Sequence, residues 1–498
     1  MPFYGFSANE GKNEQKTYFL NKARENYPPM FYREIRPVPE GITGKKDFEF
    51  VLDLGNHYVG KFSFTMDNVD DYIAAPVRVT VRFAEDLREL NGDFSAYKGR
   101  LCASWLQEEV LNVEFPGDVT MERRYSCRYI KFTVKDARRT VKFDNFCFTA
   151  STSADETKLL PAKIDDPMLK KIDDIAVYTL KECMQTFFED GPKRDRRMWI
   201  GDLRLQALAN YYTFDNRMLV RRCLYLLAAT DCDELGFMSA YLYDKPYFFS
   251  GRDHIADYAM FYVCTLCDYF EHTGDRETAM DLLAVCKGQM QAFAGVLDER
   301  GIVVNQPGWF AFIDWNKDLA KLTALQGVYL YTLEKFAATL KALGDPEAED
   351  YEAQLAKIRA ASYQHLFDEK AGVFVNETDG YNRSVHSQVF MILGGVIDGE
   401  KGKKALMTML KDSEACQPNT PYMQHYVVEA MLKLGMHREA KDYMTAFWGG
   451  MVEAGADTFW EAYVPGDPDF SPYGDHLIDS LCHAWSCTPT YLIRKFFI

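Results

Sequence analysis

Long apolar runs are missing. No stretch of about 18 or more apolar residues occurs in the 498, so no membrane-spanning helix is expected. Basic charge is also scarce. Fifty-seven Lys+Arg stand against 73 Asp+Glu, giving a net charge of −16. No basic face can dominate, which excludes nucleic acid as the main partner. No Gly-rich phosphate loop follows a strand and no G-x-S-x-G elbow is present, so nucleotide and serine-hydrolase chemistry are poorly served. The nine histidines include no pair at zinc spacing, and no metal or cofactor is expected. A secretory signal is not visible in MPFYGFSANEGKNEQKTYF, so the expected location is cytoplasmic. The twelve cysteines are scattered through apolar segments instead of forming a framework, and buried free thiols are expected.

What is present is a globular composition, 47% hydrophobic and 26% charged, in a chain long enough for two domains. Residues 1–46 are polar, with prolines at 28, 29, 37 and 39, and read as an extended lead-in. Between 47 and 150, short runs such as DFEFVLDL, YVGKFSFTM, VRVTVRFAE and RYIKFTV are rich in Val, Phe and Thr and separated by turn signals. That texture predicts a β-sandwich. Residues 151–162 read as a linker. From 163 to 498 the apolar period changes to about 3.6, predicting ten to twelve helices. No sharp repeat is visible, so a closed ring of helical hairpins is expected over a solenoid.

Four segments carry chemistry. In FFEDGPKRDRRMWIGDLRLQ (187–206), one helix ends near Phe188, Gly191-Pro192 breaks the chain, and Asp202 is the expected N-cap of the next helix. Asp190, Arg194, Asp195 and Trp199 then share an inter-helix loop. GADTFWEAYVPG (455–466) sets Trp460 beside Glu461. An indole face next to a carboxylate suits a pyranose, whose C–H face stacks while its hydroxyls meet the acid. DSLCHAWSCTPTYL (479–492) places His483 on the first turn of a helix capped by Asp479 or Ser480, and QPGWFAFIDWNKD (306–318) contains Asp314 and Trp315. Surface ion pairs and core packing would give each segment a similar appearance.

Together these segments resemble the α-L-rhamnosidases of glycoside hydrolase family 78. The family loop D-x-P-x-R-[E/D]-x-x-x-W-x-G-D stands here as Asp190-Gly191-Pro192-Lys193-Arg194-Asp195-Arg196-Arg197-Met198-Trp199-Ile200-Gly201-Asp202. The EHTGD, FIDW, GADTFWE and SLCHAW runs follow in family order, so the resemblance covers about residues 120–498. It implies an (α/α)6 barrel at 163–498 preceded by a β-sandwich at 47–150. It also implies inverting, exo-acting release of terminal α-L-rhamnose, with Asp195 as general acid and Glu461 as general base. Asp190, Arg194, Trp199, Asp202, Asp314, Trp315, Trp460 and His483 are implied to bind a small carbohydrate; a homodimer is compatible with it.

Two departures stand out. Many relatives have Glu at the Asp195 position, and Cys482 replaces a polar residue before the His. Slid by one residue, the loop pattern puts Arg196 at the acid position. A rhamnose-binding protein without turnover is therefore an alternative, as is an α/α-barrel hydrolase or phosphorylase of another sugar. An acid at Asp195 must keep its proton, so at least two of Arg194, Arg196 and Arg197 are expected to point away, to structural carboxylates. Inversion requires the Asp195 and Glu461 carboxyls about 6.5–9.5 Å apart. The β-domain is expected to cover one end of the barrel, with Trp105 a candidate to reach its mouth.

Overall fold

The computed structural model describes residues 10–498 apart from 40, 71–74, 246, 377–382 and 468. The expected extended lead-in is instead largely structured. Helix α1 spans Glu10–Glu25, strand β1 spans Phe31–Ile35, and β2 already begins at Ile42. Among the described residues of α1 only Phe19 and Ala23 are buried, an i,i+4 pair that makes too narrow a stripe to read as a helix.

The N-terminal sheet is built on two long strands, β2 (Ile42–Asn68) and β6 (Tyr125–Thr152). Strand β3 (Val77–Ala84), the short helix α2 (Leu87–Asn91), β4 (Glu108–Val113) and β5 (Gly117–Thr120) lie between them in sequence. The strand order is β4-β3-β6-β2-β5, with β1 along the end of β6. Residues 42–60 of β2 pair with 125–143, and residues 60–68 pair with 141–150. The change of ladder falls at Gly60, where an added Cβ would lie 2.1 Å from the Thr149 carbonyl oxygen. The two halves close on a phenylalanine core, with Phe50 stacked on Phe132 at 4.6 Å and Phe64 edge-on to Phe132 at 5.1 Å.

Twelve helices follow among the described residues. They are α3 (Pro167–Cys183), α4 (Ile200–Tyr211), α5 (Arg217–Ala228), α6 (Ala256–Thr273), α7 (Arg276–Ala294), α8 (Leu322–Leu343), α9 (Ala348–Leu366), α10 (Val385–Leu393), α11 (Gly399–Lys411), α12 (Pro421–Lys433), α13 (His437–Glu453) and α14 (Pro489–Phe496). The even-numbered helices pack in succession, α4 on α6, α8, α10, α12, α14 and back to α4, closing a ring. The odd-numbered ones lie against its outside. Inner helices are enclosed on every side, so their polar residues, Asp202 and Arg204 among them, are buried too. Accordingly, every residue of α4 and of α10 is buried. Gly327 lets α8 approach α10 closely, since a Cβ there would meet Phe390 at 2.5 Å.

Connections from an outer helix to the next inner one are long, such as 184–199, 229–255, 295–321 and 454–488. Those leading back are short turns, with Gly274 and Gly344 left-handed at two of them. The long connections carry the four chemical segments. Three local readings need correction. Helix α3 ends at Cys183, not near Phe188. Trp199 occupies the N-cap position of α4, and Asp202 sits one turn in. His483 is not on a helix turn: 476–478 and 484–486 are single 3-10 turns, and α14 begins only at Pro489.

Candidate active site

A cavity of about 620 Å³ opens among the long connections. The structure brings Asp190, Arg194, Asp195, Trp199, Asp202, Trp315, Glu461 and His483 to its wall. Sequence reasoning missed Tyr258, Tyr473 and Trp485, which also line it. It also missed Arg100 and Leu101, which the N-terminal domain contributes. Trp105 does not line the cavity; it packs with Tyr473 and Leu477 beside it.

Glu461 is buried, yet its carboxylate is fully engaged. Oε2 accepts from the Arg194 guanidinium and, at 3.3 Å, from the Ser480 amide. Oε1 accepts a short hydrogen bond from the Tyr473 hydroxyl. The Trp485 indole donates to the Glu461 carbonyl at 2.9 Å and fixes the backbone. The guanidinium and the phenol fix the orientation of this carboxylate.

Asp195 differs. Its side chain is 21% exposed and accepts no hydrogen bond among the described residues. Arg194 Nη1 lies 3.6 Å from Oδ1 and Arg197 Nη1 lies 3.6 Å from Oδ2. The fork of Arg194 thus spans Asp195 and Glu461, so their nearest oxygens are at most about 8.5 Å apart. The expectation about the arginines holds only for Arg196, which turns to the carbonyls of Pro192, Lys193 and Arg124, not to a carboxylate. Burial and the neighbouring Arg124 lower its pKa to about 10. Arg194 is drawn to Glu461 while still facing Asp195, and Arg197 faces Asp195 itself.

Behind Asp195 lies a buried acidic pair. Asp190 accepts the amides of Asp195 at 3.1 Å and Arg197 at 3.0 Å, which ties the loop into a tight turn. Burial, then the charge of Asp195, pushes the Asp190 carboxyl up to about 8. Burial pushes Asp202 well above the usual range, assisted by Asp190 and Glu461. His483 Nδ1 stands 3.5 Å from Asp202 Oδ1, and neither atom has a hydrogen-bond partner. Burial and then Arg194 lower the His483 pKa to about 3, so the ring is neutral. The cavity therefore holds protonated acids and a neutral imidazole, with Asp202 Oδ1 and His483 Nδ1 available to bind hydroxyls.

Two predicted residues are elsewhere. Asp314 is a structural staple: it accepts from His386 at 2.8 Å, the Asn419 amide at 2.8 Å, the Thr420 hydroxyl at 2.7 Å and the Trp315 amide at 2.8 Å. Trp460 points away from the cavity, packing on Tyr463 with Arg88 over its face. No group of three or more His, Cys, Asp or Glu among the described residues is arranged to hold a metal ion.

The N-terminal domain grips both acid-bearing segments. Arg124 pairs with Glu189 at 2.6 Å, next to Asp190, and Arg128 pairs with Asp457 at 2.6 Å, four residues before Glu461. Lys193 is buried, 2.7 Å from Glu89 of α2 and 3.9 Å from Glu85. Burial draws its pKa down, but Glu89 and Glu85 together raise it above the ordinary value. Glu85 also accepts the Leu481 amide at 2.6 Å.

A carboxylate-floored, aromatic-walled cavity at the loop end of a ring of helical hairpins defines a carbohydrate-active protein. Residues 34–150 match the glycosyl hydrolase family 78 alpha-rhamnosidase N-terminal domain, and 162–495 match the bacterial alpha-L-rhamnosidase 6 hairpin glycosidase domain. The chain belongs to the bacterial α-L-rhamnosidases of family 78, and thus to the glycoside hydrolases. It is similar to a rhamnosidase from Klebsiella oxytoca solved with rhamnose bound, at 34% identity and TM-score 0.92 over 97% of this chain and 99% of that one. The family 78 rhamnosidase of Bacillus sp. GL1 is 24% identical with TM-score 0.78, covering 93% of this chain and 48% of its own. A Streptomyces avermitilis α-L-rhamnosidase complexed with L-rhamnose shares the fold at 16% identity and TM-score 0.69, over 94% of this chain and 44% of that one. No curated protein sequence matches the chain.

Proposed function

We propose that the protein is an inverting, exo-acting α-L-rhamnosidase, an (α/α)6 barrel carrying a β-sandwich. The observation that carries this is the contrast between two carboxylates in one cavity. Glu461 is buried and oriented by hydrogen bonds from Arg194 and Tyr473, as suits a fixed general base. Asp195 accepts no hydrogen bond among the described residues and is the more accessible of the two. Asp195 gives its proton to the glycosidic oxygen while Glu461 takes one from the water that attacks the anomeric carbon on the opposite face. The products are β-L-rhamnose and the leaving alcohol. The bound of about 8.5 Å between the carboxylates is compatible with a water between them. Asp190, Asp202 and His483 hold the hydroxyls, and Trp199 and Trp315 take the apolar face of the ring. The twelve free cysteines, with Cys183 and Cys482 unbridged at 3.9 Å, support action in the cytoplasm on small imported glycosides.

A second reading is rhamnose binding without turnover. Arg194 and Arg197, each 3.6 Å from the Asp195 carboxylate, favour it, because they engage the group that would have to serve as the acid. Release of nitrophenol from 4-nitrophenyl α-L-rhamnoside separates the two. The parent is expected to turn over, and Asp195→Asn and Glu461→Gln each to lose about 10²–10⁴-fold. NMR is expected to show the β-anomer first. An inert parent that still binds rhamnose supports the second reading, and an α-anomer appearing first refutes inversion.

A further inference from the structure

The cavity wall contains a strained turn. Ile313 has φ +53°, in the left-handed region that β-branched residues avoid. The Asp314 amide donates to the Phe312 carbonyl, an i to i+2 hydrogen bond around that positive-φ centre. This is a γ-turn of the rare, strained sense. Such a conformation persists only where its surroundings over-determine it, and it is found most often at functional sites.

Here the surroundings are two buried carboxylates. Asp257, on the first turn of α6, accepts the Phe312 amide at 2.8 Å on one oxygen and the Ile313 amide at 3.0 Å on the other. It is shut off from solvent and does not line the cavity. Asp314 ties the far side of the turn to His386 of α10 and to Thr420, the N-cap of α12. The turn aims two rings into the cavity. Phe312 and Trp315 both line it, with centroids 5.1 Å apart and planes at 83°. Phe312 stacks in turn on Trp485 at 5.9 Å. Trp315 Nε1 is shut off from solvent and lacks any hydrogen-bond partner, a state that calls for a ligand or water. Returning Ile313 to negative φ would redirect the chain between the two rings and break their right-angled arrangement.

We propose that Asp257 is a positioning residue for substrate binding: by holding Ile313 in its left-handed turn it sets the Phe312–Trp315 platform against the apolar face and a hydroxyl of the sugar. This rests on the rhamnosidase reading of the cavity and adds to it a residue that never touches the substrate. Asparagine is a poor replacement, because its carbonyl meets one amide while its NH2 faces the other. Glycine at 313 would adopt the left-handed conformation unaided.

The test uses the full chain with Asp257→Asn, Trp315→Ala and Ile313→Gly, singly and with Asp257→Asn added to each of the other two. It reads KM and kcat on 4-nitrophenyl α-L-rhamnoside, Kd for L-rhamnose by calorimetry, and thermal melting. Asp257→Asn is expected to raise KM and Kd about tenfold and to change kcat less than about threefold. Added to Trp315→Ala, it is expected to raise KM less than about twofold further, because the platform it serves is already lost. Ile313→Gly in Asp257→Asn is expected to return KM to within about threefold of the parent while melting falls further, since the buried Ile313 side chain leaves a hole. A role in stability alone would make KM and melting worsen together. If Asp257→Asn does not fold, Ile313→Gly with and without it decides: equal KM supports the proposal and a gap of about tenfold overturns it. If Ile313→Gly does not fold, the Trp315 pair decides. Full additivity with Trp315→Ala, or no rescue by glycine, overturns the positioning role and leaves the rhamnosidase reading intact. A parent that binds rhamnose without turnover still gives the answer through Kd, and one that neither binds nor cleaves overturns both.

Discussion

The Lys193–Glu89 pair offers the sharpest test of how the N-terminal domain supports the cavity. Glu89→Gln keeps the shape and removes the charge. Lys193 would stay buried with the carbonyls of Leu477 at 3.2 Å and Asp479 at 2.9 Å, and with Glu85 at 3.9 Å as its remaining carboxylate. Removing one partner of a buried pair costs about 3–5 kcal/mol, and the surviving Glu85 argues for the low end, about 3 kcal/mol. With an unfolding entropy of about 2.1 cal/mol/K per residue, that lowers the melting midpoint by about 3 °C if the chain unfolds as one unit. Urea unfolding followed by tryptophan fluorescence gives the free energy directly. Combining Glu89→Leu with Lys193→Met leaves no unpaired charge and is expected to recover most of the loss. Turnover is expected to fall in Glu89→Gln with KM little changed, because Lys193 adjoins Arg194. A change below about 0.5 kcal/mol in Glu89→Gln, the range of an ordinary surface substitution, would refute the reasoning.

Two further outcomes follow from the same geometry. Asp190 holds its proton to about 8 in the fold against an ordinary value of 3.8, so its contribution to stability is lost as pH rises through that interval. Activity is expected to show an alkaline limb near pH 8, and pH–rate profiles of Asp190→Asn should lack it; an unmoved limb would assign it to another group. The two tryptophans should behave differently. Trp315→Ala is expected to raise KM, whereas Trp460→Ala is expected to cost about 3–5 kcal/mol of stability, read by urea unfolding, because its ring packs outside the cavity.

The helical ring and the sheet were legible because each rests on local periodicity, and the 190–202 loop because its residues are contiguous. Long-range contacts were not. Asp314 was misread as a sugar ligand because its partners His386 and Thr420 are 72 and 106 residues away. Tyr473 and Arg100 reach the cavity from irregular segments with no periodic signal. Trp460 is different, since the sequence did contain a usable clue. Immediate neighbours in a chain rarely share a face, so a Glu461 pointing inward argues for Trp460 pointing elsewhere. Helix α1 escaped notice because, among its described side chains, Phe19 and Ala23 are the buried ones, too few to show a period.

That helix has a consequence for motion. Phe19 of α1 packs on Tyr225 of α5, Arg222 donates to the Ala23 carbonyl at 2.7 Å, and Tyr18 donates to Asp281 of α7 at 2.9 Å. The sheet is therefore moored to the ring twice, by α1 before it and by α3 after it. A module on a single leash can swing clear, but one with two short leashes is kept at high effective concentration beside its partner. Arg100 then stays over the cavity through every turnover, and ligands must enter and leave past the ring's own connections. Proteolytic nicking between α1 and β1 would convert the arrangement to a single leash without removing any residue from the cavity.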